Sequence, residues 1–135
     1  MAEALSSVRI RTSLHNALRL AAAQLTEARE MQVTMRGLLE EEIEGVFARS
    51  LEEWARWAEA GQALERANET TSEPFRIRSD LSRRLTTLAA SISQRSQVPV
   101  TKIQLLEEAG WKIVKKARQE VDELRAVGVQ VSGEG

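Results

Sequence analysis

Val8 to Phe47 and Phe75 to Val114 align without a gap, and thirteen of the forty aligned positions are identical. Others exchange like for like, as Leu25 does with Ile92 and Val46 with Ile113. Self-similarity at a fixed offset means that one structural unit is used twice. The unit is too short to bury a core by itself, so each copy needs a partner. With 135 residues the chain is one ordinary domain or two very small ones.

Each copy spells the same order of elements. Ser7 to Arg11 alternates, with Val8 and Ile10 on one side and Ser7, Arg9 and Arg11 on the other. That is the period of a strand with one buried face. Phe75 and Ile77 against Arg76 and Arg78 repeat it. Thr12 or Ser13, and Ser79 or Asp80, supply oxygens that cap a helix start. Leu14, Leu18, Ala22 and Leu25 follow at helical spacing, mirrored by Leu81, Leu85, Ala89 and Ile92. These helices are expected to end near Glu30 and Arg95.

A short connection leads to a second helix after Val33-Thr34 and Val100-Thr101. Thr101 and Gln104 have capping-box spacing, and Pro99 suits a helix start. Gly37 stands at the equivalent position in copy one, which predicts a weaker cap there. Leu39, Ile43, Val46, Phe47 and Leu51 mark one buried stripe, and Ile103, Leu106, Gly110, Ile113 and Ala117 the other. Trp54 and Trp57 extend the first stripe by a turn or two and read as packing residues, the alternative being a partner-binding surface. Gly61 and the polar run Asn68 to Pro74 have the signature of a linker. The expected boundaries are a first repeat over 1–60, a linker over 61–74, a second repeat over 75–127 and a flexible tail over 128–135.

Composition mainly excludes. Cysteine is absent and His15 is the single histidine. This argues against disulfides, a transition-metal site and thiol or histidine catalysis, and no cofactor is expected. There is no phosphate-cradling glycine loop. Glu40, Glu41 and Glu42 run around a helix and do not converge as a paired acid and base would, so an enzyme is not expected. No apolar run is long enough for a membrane span, and the start lacks a secretory signal, which fits a cytoplasmic protein. The net charge of −1 hides a segregation, with +5 over residues 75–103, +2 over 1–36 and −7 over 37–74. A weakly acidic chain can therefore present a basic face to a polyanion.

Strand, helix, turn and helix, with arginines on the polar face of the strand and a threonine-capped second helix, resembles the ribbon-helix-helix family of DNA-binding proteins. The resemblance covers roughly residues 5–58 and 73–120. Its turn differs from the family's usual Gly-Arg-Ser type: Gln94 precedes Arg95-Ser96, and copy one has Ala28-Arg29-Glu30. Two copies on one chain resemble the tandem, TraY-type accessory proteins of conjugative DNA transfer and the single-chain accessory proteins of T-DNA transfer. The resemblance implies a mostly α fold in which two short strands pair antiparallel over a four-helix core, an intramolecular pseudo-dimer. It also implies a ribbon inserted in the major groove of double-stranded DNA.

The family's base-reading positions fall on Arg9, Arg11, Arg76 and Arg78, with Ser7 as a further contact. Arginine can place two donors on guanine O6 and N7. Thr34 and Thr101, with Arg36 and Lys102 nearby, mark helix N-termini that would clamp phosphates, since such termini offer free N–H donors and partial positive charge. The expectation is a sequence-specific DNA-binding protein of a mobile element, acting as a transcriptional repressor or a conjugation accessory factor on a plasmid. Its partners would be DNA and relaxosome or transcription proteins, with room for higher oligomers on DNA. The alternative is a helical protein-interaction module, antitoxin-like or a scaffold, with the acidic second helices and Trp54 and Trp57 facing a partner.

Overall fold

The computed structural model describes residues 4–61 and 71–134, with side chains described through Val127. Most of the expected linker lies outside the described residues. Seven elements follow in order: β1 (Leu5–Arg11), α1 (Thr12–Arg29), α2 (Met35–Ala48), α3 (Leu51–Glu59), β2 (Ser72–Arg78), α4 (Ser79–Ser96) and α5 (Lys102–Glu134). Among the described residues the chain is therefore mostly helical, with one two-stranded antiparallel sheet.

The register of that sheet follows the repeat. Val8 lies opposite Phe75, its matched position in the other copy. Ser7 faces Arg76 and Arg9 faces Pro74, so the pairing is symmetric about the Val8–Phe75 pair. Val8, Ile10 and Ile77 are buried beneath the ribbon, and Phe75 is half-buried against the same core. A one-residue slip would turn these four outward, so burial fixes the register. Pro74 is tolerated because both strands of a two-stranded ribbon are edges.

The ribbon also caps the helices it precedes. The first amide of α1, on Thr12, donates to the Thr71 carbonyl at 3.2 Å, and the first amide of α4, on Ser79, donates to the Ala4 carbonyl at 3.0 Å. Each copy thus satisfies an orphan N–H at the other's helix start. The N-cap positions are Arg11 and Arg78, neither with a side-chain cap bond. Thr12 and Ser79 are thus first helical residues and not the caps expected of them, their amides taken by carbonyls just before the paired strands, while the expected Asp80 carboxylate does accept from the Asp80 and Leu81 amides at the start of α4.

The turns that follow repeat just as closely. Glu30 and Gln97, at matched positions, end α1 and α4 with φ of 54° and 61°. The Thr26 hydroxyl accepts from the Val33 amide at 3.0 Å and donates to the Ala22 carbonyl at 2.8 Å. Ser93 does the same with Val100 and Ala89, both at 2.8 Å. Thr34 then caps α2, accepting from the Gly37 amide at 3.0 Å. Thr101 and Gln104 form the reciprocal box, the Thr101 amide donating to Gln104 Oε1 at 2.8 Å and the Gln104 amide to Thr101 Oγ1 at 3.4 Å.

Packing crosses between the copies. α1 lies mainly on α5, and α4 mainly on α3. Leu14, Leu18, Leu39, Ile43, Ile77, Leu81, Leu85, Leu105 and Leu106 are fully buried in one shared cluster. Each such side chain contributes about 1.5–3 kcal/mol of hydrophobic stabilisation. Gly110 brings α5 close to α1: a Cβ there would lie 2.6 and 2.8 Å from the Leu14 methyls.

The second helices depart from the expected stripes. Copy one's stripe does not run on as one helix through Leu51. The helix breaks after Ala48, Ser50 caps a new one by accepting from the Glu53 amide at 3.2 Å, and Leu51 is exposed. Trp54 and Trp57 are buried edge to face with centroids 5.0 Å apart, as packing residues. Trp54 Nε1 donates to the Val46 carbonyl at 3.0 Å, which also accepts from the Arg49 amide at 3.4 Å, so α3 is tied to the end of α2. Copy two has no such break, and α5 continues to Glu134 through the stretch expected to be a tail. Ile103 is only half-buried, while Leu105, which the expected stripe omits, is fully buried.

Candidate nucleic-acid interface

Strand alternation puts Leu5, Ser7, Arg9 and Arg11 of β1, and Ser72, Pro74, Arg76 and Arg78 of β2, on the face of the ribbon away from the core. The four arginines of that face do not fare alike. Arg76 is exposed and has no ion pair among the described residues. Arg9 is exposed too, and its Nε and Nη2 donate to Ser72 Oγ at 2.7 Å and the Ser72 carbonyl at 2.9 Å. That hold uses neutral acceptors and leaves the charge uncompensated. Ser7 lies between them on the face, exposed and opposite Arg76.

Arg11 and Arg78 sit at opposite ends of the ribbon and turn back onto acids. Arg11 is ion-paired with Glu107, a buried carboxylate on α5. Arg78 pairs with Asp80 at 2.8 Å and Glu44 at 3.5 Å, and its amide donates to Glu40 Oε2 at 2.8 Å. Hydrogen bonding from the Arg78 guanidinium, and its charge, hold the Asp80 carboxyl below the ordinary aspartate value. Glu40 and Glu107 are matched positions, so each strand end meets the second helix of the other copy.

Those contacts place the second turns of α2 and α5 against the two ends of the ribbon. Thr34 and Thr101 are exposed at the starts of these helices. Arg36 pairs with Glu40 at 3.4 Å one turn on, and Lys102 Nζ reaches Ser82 Oγ at 3.0 Å. The expected residues thus form a central pair, Arg9 and Arg76, flanked by two capped helix N-termini. Arg84, which sequence reasoning did not single out, stacks 4.0 Å over the Phe47 ring and lies 3.7 Å from Glu44. Arg83 is exposed beside it on α4.

Among the described residues no cluster of acids and histidine could hold a metal, and no helix is long and apolar enough to cross a membrane. The chain matches no protein-family model, no curated protein and no solved structure.

Proposed function

We propose that this chain is a tandem ribbon-helix-helix protein, a pseudo-dimer in one polypeptide, that binds double-stranded DNA through its ribbon. The observation that carries this reading is the symmetric antiparallel pairing of β1 and β2, which leaves Arg9, Arg76 and Ser7 outward with no acid partner among the described residues. A two-stranded ribbon fits the major groove, where arginine reads guanine through two hydrogen bonds. The starts of α2 and α5, a turn before their contacts with the ribbon ends, are placed to fix the register on phosphates. Because Arg11 and Arg78 are committed to acids, base reading falls to Arg9 and Arg76, with Thr34, Thr101, Arg36 and Lys102 at the backbone. Repression and assistance of DNA transfer use the same binding event, and either role on a mobile element follows from it.

Selection of bound duplexes from a random pool, followed by anisotropy titration, tests the reading. Arg9→Ala and Arg76→Ala should each cost about 1–3 kcal/mol on the selected site and relax its sequence preference. Affinity should fall steeply with salt, with a log–log slope near −0.9 for each phosphate contacted. A double variant with unchanged affinity and preference sinks the proposal. The protein-interaction alternative loses its aromatic surface, because Trp54 and Trp57 are buried.

A further inference from the structure

The apolar stripe of α5 outlasts the helix that covers it. Ile113, Ala117 and Val121 are buried, the last two packed with Ala21 and Leu25 of α1. One turn further on, Leu124 is 43% exposed, and Val127 is 57% exposed. The cause is a difference in length. α1 stops at Arg29, whose guanidinium grips Glu120 through two bonds of 2.6 Å, whereas α5 runs on to Glu134. Gln24, Glu27 and Ala28 of α1 form a groove with Val121, Leu124 and Arg125 of α5. Leu20 extends the α1 wall one turn before Gln24 and is 59% exposed. Three of the six large hydrophobic side chains exposed among the described residues, Leu20, Leu124 and Val127, therefore belong to this one region. A cluster of this kind marks an interaction surface.

We infer that this groove and the overhanging end of α5 dock onto the same surface of a second copy of the chain. The charges on its rims select that occupant. Glu27 stands on the α1 wall and Arg125 on the α5 wall, and neither has an ion pair among the described residues. A two-fold axis sets Arg125 of each copy against Glu27 of the other while Leu124 and Val127 enter the facing groove. A patch with one charge of each sign and a shared apolar floor is self-complementary, which is what an isologous contact requires. An anionic lipid surface would instead call for a basic rim throughout. The few side chains involved place the contact at the weak end of specific interfaces. The groove lies near the far end of α1 from the ribbon, about 20 Å along the helix, so the dimer leaves the ribbon open. The inference does not rest on the DNA-binding reading.

Sedimentation equilibrium on the full chain, without DNA, tests it. A reversible monomer–dimer equilibrium is expected. Leu124→Glu should weaken it roughly tenfold or more with an unchanged far-ultraviolet circular dichroism spectrum, since the residue is exposed. Glu27→Arg and Arg125→Glu should each weaken it severalfold, and combining them should restore it. The inference is overturned by a monomer at every concentration up to about 1 mM, by a dimer that Leu124→Glu leaves intact, or by a charge swap no better than its single changes. A monomer that instead binds vesicles of anionic phospholipid through Leu124 also overturns it, and assigns the surface to lipid.

Discussion

Arg11 and Arg78 occupy matched positions at the two ends of the ribbon, yet their surroundings differ in kind. The Arg11 pair is enclosed: its side chain is 16% exposed and that of Glu107 is 7% exposed. Arg78 and Asp80 are 32% and 48% exposed, in water that screens them. The same side chain thus locks the structure at one end and dresses the surface at the other. Repetition of sequence fixes where a residue sits, and the dielectric around it decides what it is worth.

The largest effect that could break this comparison is at the enclosed end. Arg11→Ala leaves a buried carboxylate without its cation and should cost about 3–4 kcal/mol in urea denaturation, while Arg78→Ala should cost at most about 1 kcal/mol. Equal losses would mean that the two ends are equivalent after all. Next comes Gly110→Ala, whose methyl would collide with Leu14. It should cost about 1–3 kcal/mol, although alanine favours a helix; a gain in stability would show that α1 can move aside. Ser50→Ala removes the cap of α3 and should cost about 1 kcal/mol; no change would mean that Trp54 alone holds α3 in place. The smallest effect is the pH response of the exposed end. Asp80 and Glu120, each hydrogen-bonded by an arginine, have lowered carboxyl pKa values. Their contribution is present above the ordinary carboxylate range and is lost as pH falls through the lowered values. An NMR titration should place the Asp80 midpoint below the ordinary aspartate value, and Arg78→Ala should bring it back; a midpoint unmoved by that change would mean that Arg78 does not hold Asp80.

Much of this fold was legible because the repeat checked every local reading twice. A five-residue alternation at Ser7–Arg11 says little alone, but its recurrence at Phe75 and Ile77 made a strand of both. The threonine caps followed from oxygen chemistry and stand at the start of both second helices. What escaped depended on partners distant in sequence. The amide of Thr12 is satisfied by Thr71, so no local pattern could reveal its cap. The break at Arg49 was different, because Ser50 and Glu53 spell a capping-box pattern that the apolar stripe of Leu51 and Trp54 overshadowed. At the interface, alternation found the outward arginines but not their fates. A signal existed there: Glu40 and Glu107 are among the identities between the copies, as are Arg11 and Arg78. Opposite charges retained together in both units hint at a contact between them.

The exchange of carbonyls at the helix starts bears on how the chain can be made. The strand of the first unit has nothing to pair with, and its first helix lacks that cap, until Thr71 and the strand after it have left the ribosome. Until then an unpaired edge and half a core are exposed to whatever is nearby. The closing contacts join residues far apart in sequence, so they form late and together. The two units are therefore expected to gain their structure in one step, with the earlier one waiting for the later.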